Sequence, residues 1–337
     1  TPRLQEVIDD EKCVGLVAWS EISHSDTYML EYLAENSWDP SNVEIEKATG
    51  LYCKNRYAKE IGQEMKSIWG SFLNSSQTLH WSRGGIPVGE PQFRTLTSGA
   101  FINLTPEHLD KLSSDYQKTL EGLQGIPEAL ERLSDLAVSN YEDQMWRRDA
   151  IDIARTVANR AIFATLARSS VKMEEWRHKK ADRSEIVKLS NLSKEMLACL
   201  SRLLAMSDDY SMNATLKKLY DAKTLNGVPP FVNPHSEQTL KGNSENGYCR
   251  SHHYELVEYV YRPETEVFWN YVLKRIKSGD RSEWKRPQEF AEQKKIIEDR
   301  FYDKPLIEMA PAEVRSPERL AGIIKELGEL VKQFINS

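Results

Sequence analysis

One acidic side chain stands where chemistry can be done. Glu21 follows the apolar run Cys13-Val14-Gly15-Leu16-Val17-Ala18-Trp19 and Ser20. The run is short and rich in small and β-branched residues, the pattern of a strand buried on both faces. A carboxylate at the C-terminal end of such a strand stands where (β/α)8 barrels keep their catalytic groups, and there it serves as nucleophile or proton carrier. Trp19 offers an apolar platform beside it and His24 a hydrogen-bonding ring. In a purely structural role the same carboxylate caps the next helix or stands in solvent.

Two other groupings invite the same question. In WRRDAIDIAR, Asp149, Asp152 and Arg155 recur three residues apart. On a helix they either line a cleft or form ion pairs at the surface, the commoner outcome. His252 and His253 are adjacent, so on a helix they point about 100° apart and cannot share a metal. Cys13, Cys53, Cys199 and Cys249 form no C-x-x-C pair, and neither a phosphate-binding glycine loop nor a nucleophile elbow is present. The sequence therefore calls for no cofactor and no metal.

Bulk properties narrow the partners. The 337 residues carry 45 basic and 51 acidic side chains, a net charge of −6, with no cationic stripe to neutralise phosphates, so a nucleic-acid partner is not expected. No stretch of eighteen apolar residues exists to span a membrane. N-x-S/T sequons at Asn74, Asn103, Asn191 and Asn213 permit glycosylation. A homo-oligomer is compatible with this composition.

The elements that must position these groups are almost all helical. Helical periodicity predicts a first helix over 25–36, capped by Ser25 or Asp26, and a second over 41–73, with Ser41 and Glu44 as a capping box and weak points at Gly50 and Gly62. Residues 74–104 lose the period and read as a long loop. Thr105-Pro106 restarts a helix whose face is Leu109, Leu112, Tyr116, Leu120 and Leu123. Gly125 ends it, and helices follow over 127–138, 141–170, 184–207 and 212–224. Residues 225–249 read as a second long loop, and helices return over 250–278, 286–302 and 317–335. The expected fold is mainly α, a helical bundle domain over 41–337. Before it, residues 1–40 form the last strand and helix of a (β/α)8 barrel whose other strands lie on a missing or separate part.

In this order the segments resemble the C-terminal part of glycoside hydrolase family 89, the α-N-acetylglucosaminidases. VGLVAWSEISHSDTYMLEYLAENSW is similar to the family's end-of-barrel segment, in which a glutamate closes a short apolar strand and a tryptophan follows seventeen residues later, as Glu21 and Trp38 do. MWRRDAIDIARTVAN resembles its aromatic-R-x-D-x-x-D-x-x-R helix. NPHSEQTLKG resembles its N-x(4)-Q-x-x-x-G loop through Asn233, Gln238 and Gly242, with Lys241 where the family tends to carry an aromatic. ELVEYVYRPETEVFW is similar to its helix running into Y-x-x-P and a tryptophan.

The resemblance implies a retaining hydrolase that removes terminal α-linked N-acetylglucosamine from glycans, as in glycosaminoglycan degradation. Glu21 would be the catalytic nucleophile, with Trp19, His24, Asn233 and Gln238 binding substrate. The acid/base would lie on the N-terminal barrel portion of the same enzyme, which becomes an obligatory partner. The implied location is secreted, lysosomal or periplasmic. A relative acting on a uronic acid would show an added cation at the cleft, with Arg83 and Lys241 the residues to inspect. A non-catalytic helical interaction module would instead use the opening strand only to dock.

Overall fold

At Thr105-Pro106 and Gly125 the chain obeys the start and stop signals of its sequence. A computed structural model describes residues 2–15, 17, 27–37, 44–76, 104–221, 236–246, 253–312 and 314–337. Among these the regular structure is helical, with no β-strand. The helices are α1 (Pro2–Ile8), α2 (Thr27–Asn36), α3 (Ile45–Arg56), α4 (Gly62–Ser76), α5 (Pro106–Gly122), α6 (Ile126–Asn140), α7 (Gln144–Arg177), α8 (Arg183–Leu204), α9 (Met212–Asp221) and α10 (Ser236–Asn246). Then α11 runs on through Tyr254–Leu256, a π-helical turn Val257–Tyr261 and Arg262–Ser278, followed by α12 (Glu289–Asp303) and α13 (Pro317–Ile335).

Thr105 caps α5 as expected, its side chain accepting from the His108 amide, with Pro106 at the first helical position. Between α5 and α6, Gly125 takes φ 77°, a left-handed conformation that suits glycine.

The long α7 is the axis of the bundle. It packs against α4, α5, α6, α8 and α13, and is buried from Trp146 to Trp176 on nearly all sides. Ala150, Ala154, Ala158, Ala161, Ala164 and Ala167 let neighbouring helices approach it closely. Next to it, α13 inserts Leu320, Ile323, Ile324, Leu327, Leu330, Val331 and Phe334 between α6 and α8. A Cβ at Gly328 would lie 3.4 Å from both the Leu130 Cβ and the Pro127 carbonyl oxygen, so α13 meets α6 with little space for any side chain there.

The π turn in α11 has a local cause. Pro263 supplies no N–H, and its ring would press on the carbonyl four residues earlier in a regular α-helix. Widening the preceding turn lets the helix continue past it. On the near side of that turn Glu255 is fully buried. Its carboxylate accepts from the Ser211 hydroxyl at 2.7 Å and from the Met212 and Asn213 amides at 2.9 Å, closing the N-terminus of α9. Glu255→Ala is expected to lower the stability of the chain by about 2–4 kcal/mol in urea unfolding, and Glu255→Gln by somewhat less, because only one of the two accepting oxygens remains.

Three expectations are corrected. The span 41–73 is not one helix: α3 begins only at Ile45, with Glu44 extended before it and making no side-chain cap bond, and Ser41 lies outside the described residues. The chain then breaks at Tyr57, whose backbone is extended at φ −117° and ψ 161°. Second, 225–249 is not loop throughout, for it contains α10. Third, residues 13–15 and 17 form no strand here, and Val14 and Val17 are 100% and 87% exposed. The remainder of the opening run, and most of the stretch 74–104, lie outside the described residues.

Candidate functional site

The acidic residues of α7 are buried, and this overturns the expectation of surface ion pairs. Asp149 faces α3. Arg56 grips both of its oxygens, Nη2 at 2.8 Å from Oδ1 and Nε on Oδ2, and the Tyr57 hydroxyl donates to Oδ2 at 2.7 Å. The Trp69 indole N–H donates in turn to the Tyr57 oxygen at 2.8 Å. Arg56 ends α3 and Tyr57 lies just beyond it, and in this arrangement both reach one carboxylate.

Electrostatics follow from burial. Burial and the adjacent Asp149 charge push the Tyr57 and Tyr52 phenols well above their ordinary range. They push the Cys53 thiol up to about 12, leaving it inert as a nucleophile. Burial opposes the charge on Arg56, but its hydrogen bonds to Asp149 outweigh that and raise its pKa. One turn further along α7, Asp152 pairs with Arg155 at 2.7 Å, and the Arg155 side chain is almost wholly enclosed.

An aromatic cluster links this network to α2. Tyr28 stacks on Trp69 at 5.5 Å and meets Tyr52 edge-on at 5.0 Å, and its hydroxyl is 2.9 Å from Thr49 Oγ1. Glu31, one turn further along α2, has its pKa raised by burial first and then by the negative charge of Glu35. A raised carboxyl destabilises the fold once it ionises: its contribution is complete below the unfolded pKa and is lost as pH rises through the folded one. Glu31→Gln is therefore expected to raise the melting temperature at pH 7 and to leave it unchanged near pH 3. The gain stays under about 1 kcal/mol because solvent screens the site.

The remaining predicted residues divide sharply. Trp19, Glu21, His24, Trp38, Arg83, Asn233 and His252 lie outside the described residues. Gln238 is exposed on α10, its amide donating to the Tyr302 carbonyl at 3.3 Å. Lys241 on the same helix is fully buried. Its ammonium bonds the Tyr302 and Lys304 carbonyls at 3.1 and 2.6 Å and pairs with Glu237 at 3.0 Å. It closes the C-terminus of α12, so it is not the added cation that a uronic-acid site requires. His253 is buried at the start of α11, and among the described residues no three His, Cys, Asp or Glu side chains converge as metal ligands. No described helix is long and apolar enough to cross a membrane.

At the N-terminal end of α7 there is also a polar cleft of about 550 Å³, which sequence reasoning did not find. It is lined by Tyr141, Arg147, Arg148, Met206, Asp208 and Arg315. Arg147 donates to the Tyr141 carbonyl at 2.7 Å, and Arg315 to Asp208 at 2.6 Å. The adjacent arginines were its only sequence signal.

Compared with known protein families, curated proteins and solved structures, the chain matches none.

Proposed function

We propose that the chain is the C-terminal portion of a retaining glycoside hydrolase that removes terminal α-linked N-acetylglucosamine, with Glu21 as the nucleophile. The observation that carries this reading joins two facts on either side of Glu21. Upstream, Val14 and Val17 are apolar yet exposed, as residues left for a partner to cover would be. Downstream, α2 begins six residues after Glu21 and is fastened to the bundle by Tyr28. A nucleophile requires a fixed position, and an exposed apolar segment before Glu21 with an anchored helix after it supports that reading.

In this mechanism Glu21 attacks the anomeric carbon while an acid on the barrel portion protonates the departing oxygen. Water then hydrolyses the glycosyl-enzyme ester, with the same acid group now acting as base. The two carboxyl groups stand about 5–5.5 Å apart. Trp19 stacks on the sugar, and His24, Asn233 and Gln238 contact its hydroxyl and amide groups. The substrate is a glycan ending in N-acetylglucosamine, and no cofactor takes part. The reading is tested by turnover of an aryl α-N-acetylglucosaminide by the chain joined to its barrel portion. Activity that needs both parts and Glu21 supports it. Activity indifferent to Glu21 leaves only the docking role of the opening segment.

A further inference from the structure

We infer that the cleft at the start of α7 binds a phosphate dianion, either free or carried as the monoester of a small metabolite. The inference does not depend on Glu21 or on the hydrolase reading. It begins with an imbalance of charge. Arg147, Arg148 and Arg315 line the cleft together with Asp208 and Asp209. Asp208 answers Arg315 at 2.6 Å, and Asp209 lies 4.0 Å from Lys218. Asp143, just before α7, gives its carboxylate to the Met145 and Trp146 amides. Arg147 and Arg148 are left without a carboxylate among the described residues.

Their position makes that imbalance costly. Both stand where the first turn of α7 ends, near the positive pole of its dipole, which disfavours added cations. On its own helix the natural partner of Arg148 is Asp152, four residues on. That carboxylate is bound to Arg155 instead, and Asp149 to Arg56. Arg148 makes no hydrogen bond or ion pair with another described residue, and its Nε is closed off from water with no acceptor. Two uncompensated guanidiniums side by side in a concave site call for a doubly charged anion. A phosphate group above its second pKa of about 6 carries that charge.

The donors are also set in place beforehand. The Arg147 guanidinium lies 4.9 Å from the Tyr141 ring centroid and donates to the Tyr141 carbonyl at 2.7 Å. Arg315 is held by the Ala205 carbonyl at 2.9 Å as well as by Asp208. A guanidinium carries five N–H donors in a planar fork, so each keeps some in reserve. Such forks match phosphate oxygens two at a time. At about 550 Å³ the cleft also has the volume of a small-molecule site, so it admits the organic part of an ester.

Calorimetric titration of the full chain at pH 7.5 tests this, with inorganic phosphate and glucose 6-phosphate as probes and chloride at equal ionic strength as the control. At least one probe is expected to bind with a Kd below about 1 mM. Tighter binding of the ester marks a metabolite as the ligand, and equal or tighter binding of inorganic phosphate marks the free ion. Glucose 6-sulfate, of the same shape but singly charged, is expected to bind about tenfold more weakly than glucose 6-phosphate. Arg148→Gln is expected to weaken phosphate binding about tenfold or more, while the melting temperature of the unliganded chain stays unchanged or rises. Arg183→Gln removes an equal charge from an exposed position at the start of α8 and is expected to keep full affinity. Failure of both probes to bind overturns the inference, and so does an equal loss in the two variants, which is general attraction to charge. Full affinity with a lowered melting temperature in Arg148→Gln overturns it as well, since the arginine is then structural. Equal binding of the sulfate and phosphate esters overturns the assignment to a dianion.

Discussion

Asp149→Ala is expected to destabilise the chain by about 3–5 kcal/mol, measured as a lowered midpoint in urea at unchanged slope. The alanine removes a carboxylate whose partners stay behind in the interior. Arg56 keeps its charge with its side chain mostly enclosed, and the Tyr57 hydroxyl keeps a proton with no acceptor. The large cost comes from those stranded groups, because an intact buried pair contributes little net stability over an apolar replacement. A double substitution makes the point testable. Asp149→Leu with Arg56→Met removes both charges together and should cost clearly less than the sum of the two single changes. A loss below about 1 kcal/mol for Asp149→Ala would mean that water reaches the pair freely.

On the proposed hydrolase reading, Glu21→Gln is expected to lower turnover of an aryl α-N-acetylglucosaminide on the order of 10³-fold or more in the chain joined to its barrel portion. The amide has the shape of the carboxylate but cannot attack the anomeric carbon, so the covalent step is lost while binding is retained. KM should therefore change little. An aryl glycoside is the proper substrate, since its good leaving group reduces dependence on the acid and leaves nucleophilic attack in control. Residual activity within about tenfold of the unaltered enzyme sinks the assignment, because loss of a nucleophile normally costs far more.

How much of this was legible in the sequence depended on whether its cause was local. α13 was read to its ends because its apolar stripe is unbroken and Ser316-Pro317 marks its start. α5 was read for the same reason, with Thr105-Pro106 as its signal. α7 was seen as a helix, but its acids were assigned to the surface. A helix enclosed on all sides shows no polar face from which burial can be judged, and Arg56 and Tyr57 lie 93 and 92 residues away. The weak point marked at Gly62 lies where the second helix restarts, but nothing at 56–58 disfavours helix, so the end of α3 at Arg56 had no local signal. α10 was hidden among polar residues. What holds it is Lys241 on the end of α12 and the Glu237 carboxylate on the Leu306 amide, both tertiary contacts. For Glu21 the sequence offered position and neighbours, and the residue itself lies outside the described ones.

The widened turn at Val257–Tyr261 acts as a phase adjuster. Ahead of it the helix owes Glu255 to the start of α9. Beyond it the same helix owes Trp269 to α8, where the indole N–H meets Ser193 Oγ at 2.8 Å. These two obligations fall out of step on an ideal spiral, and the surplus residue reconciles them. Closing that turn into a regular α-helix with every residue kept would rotate one obligation about 100° away from the other.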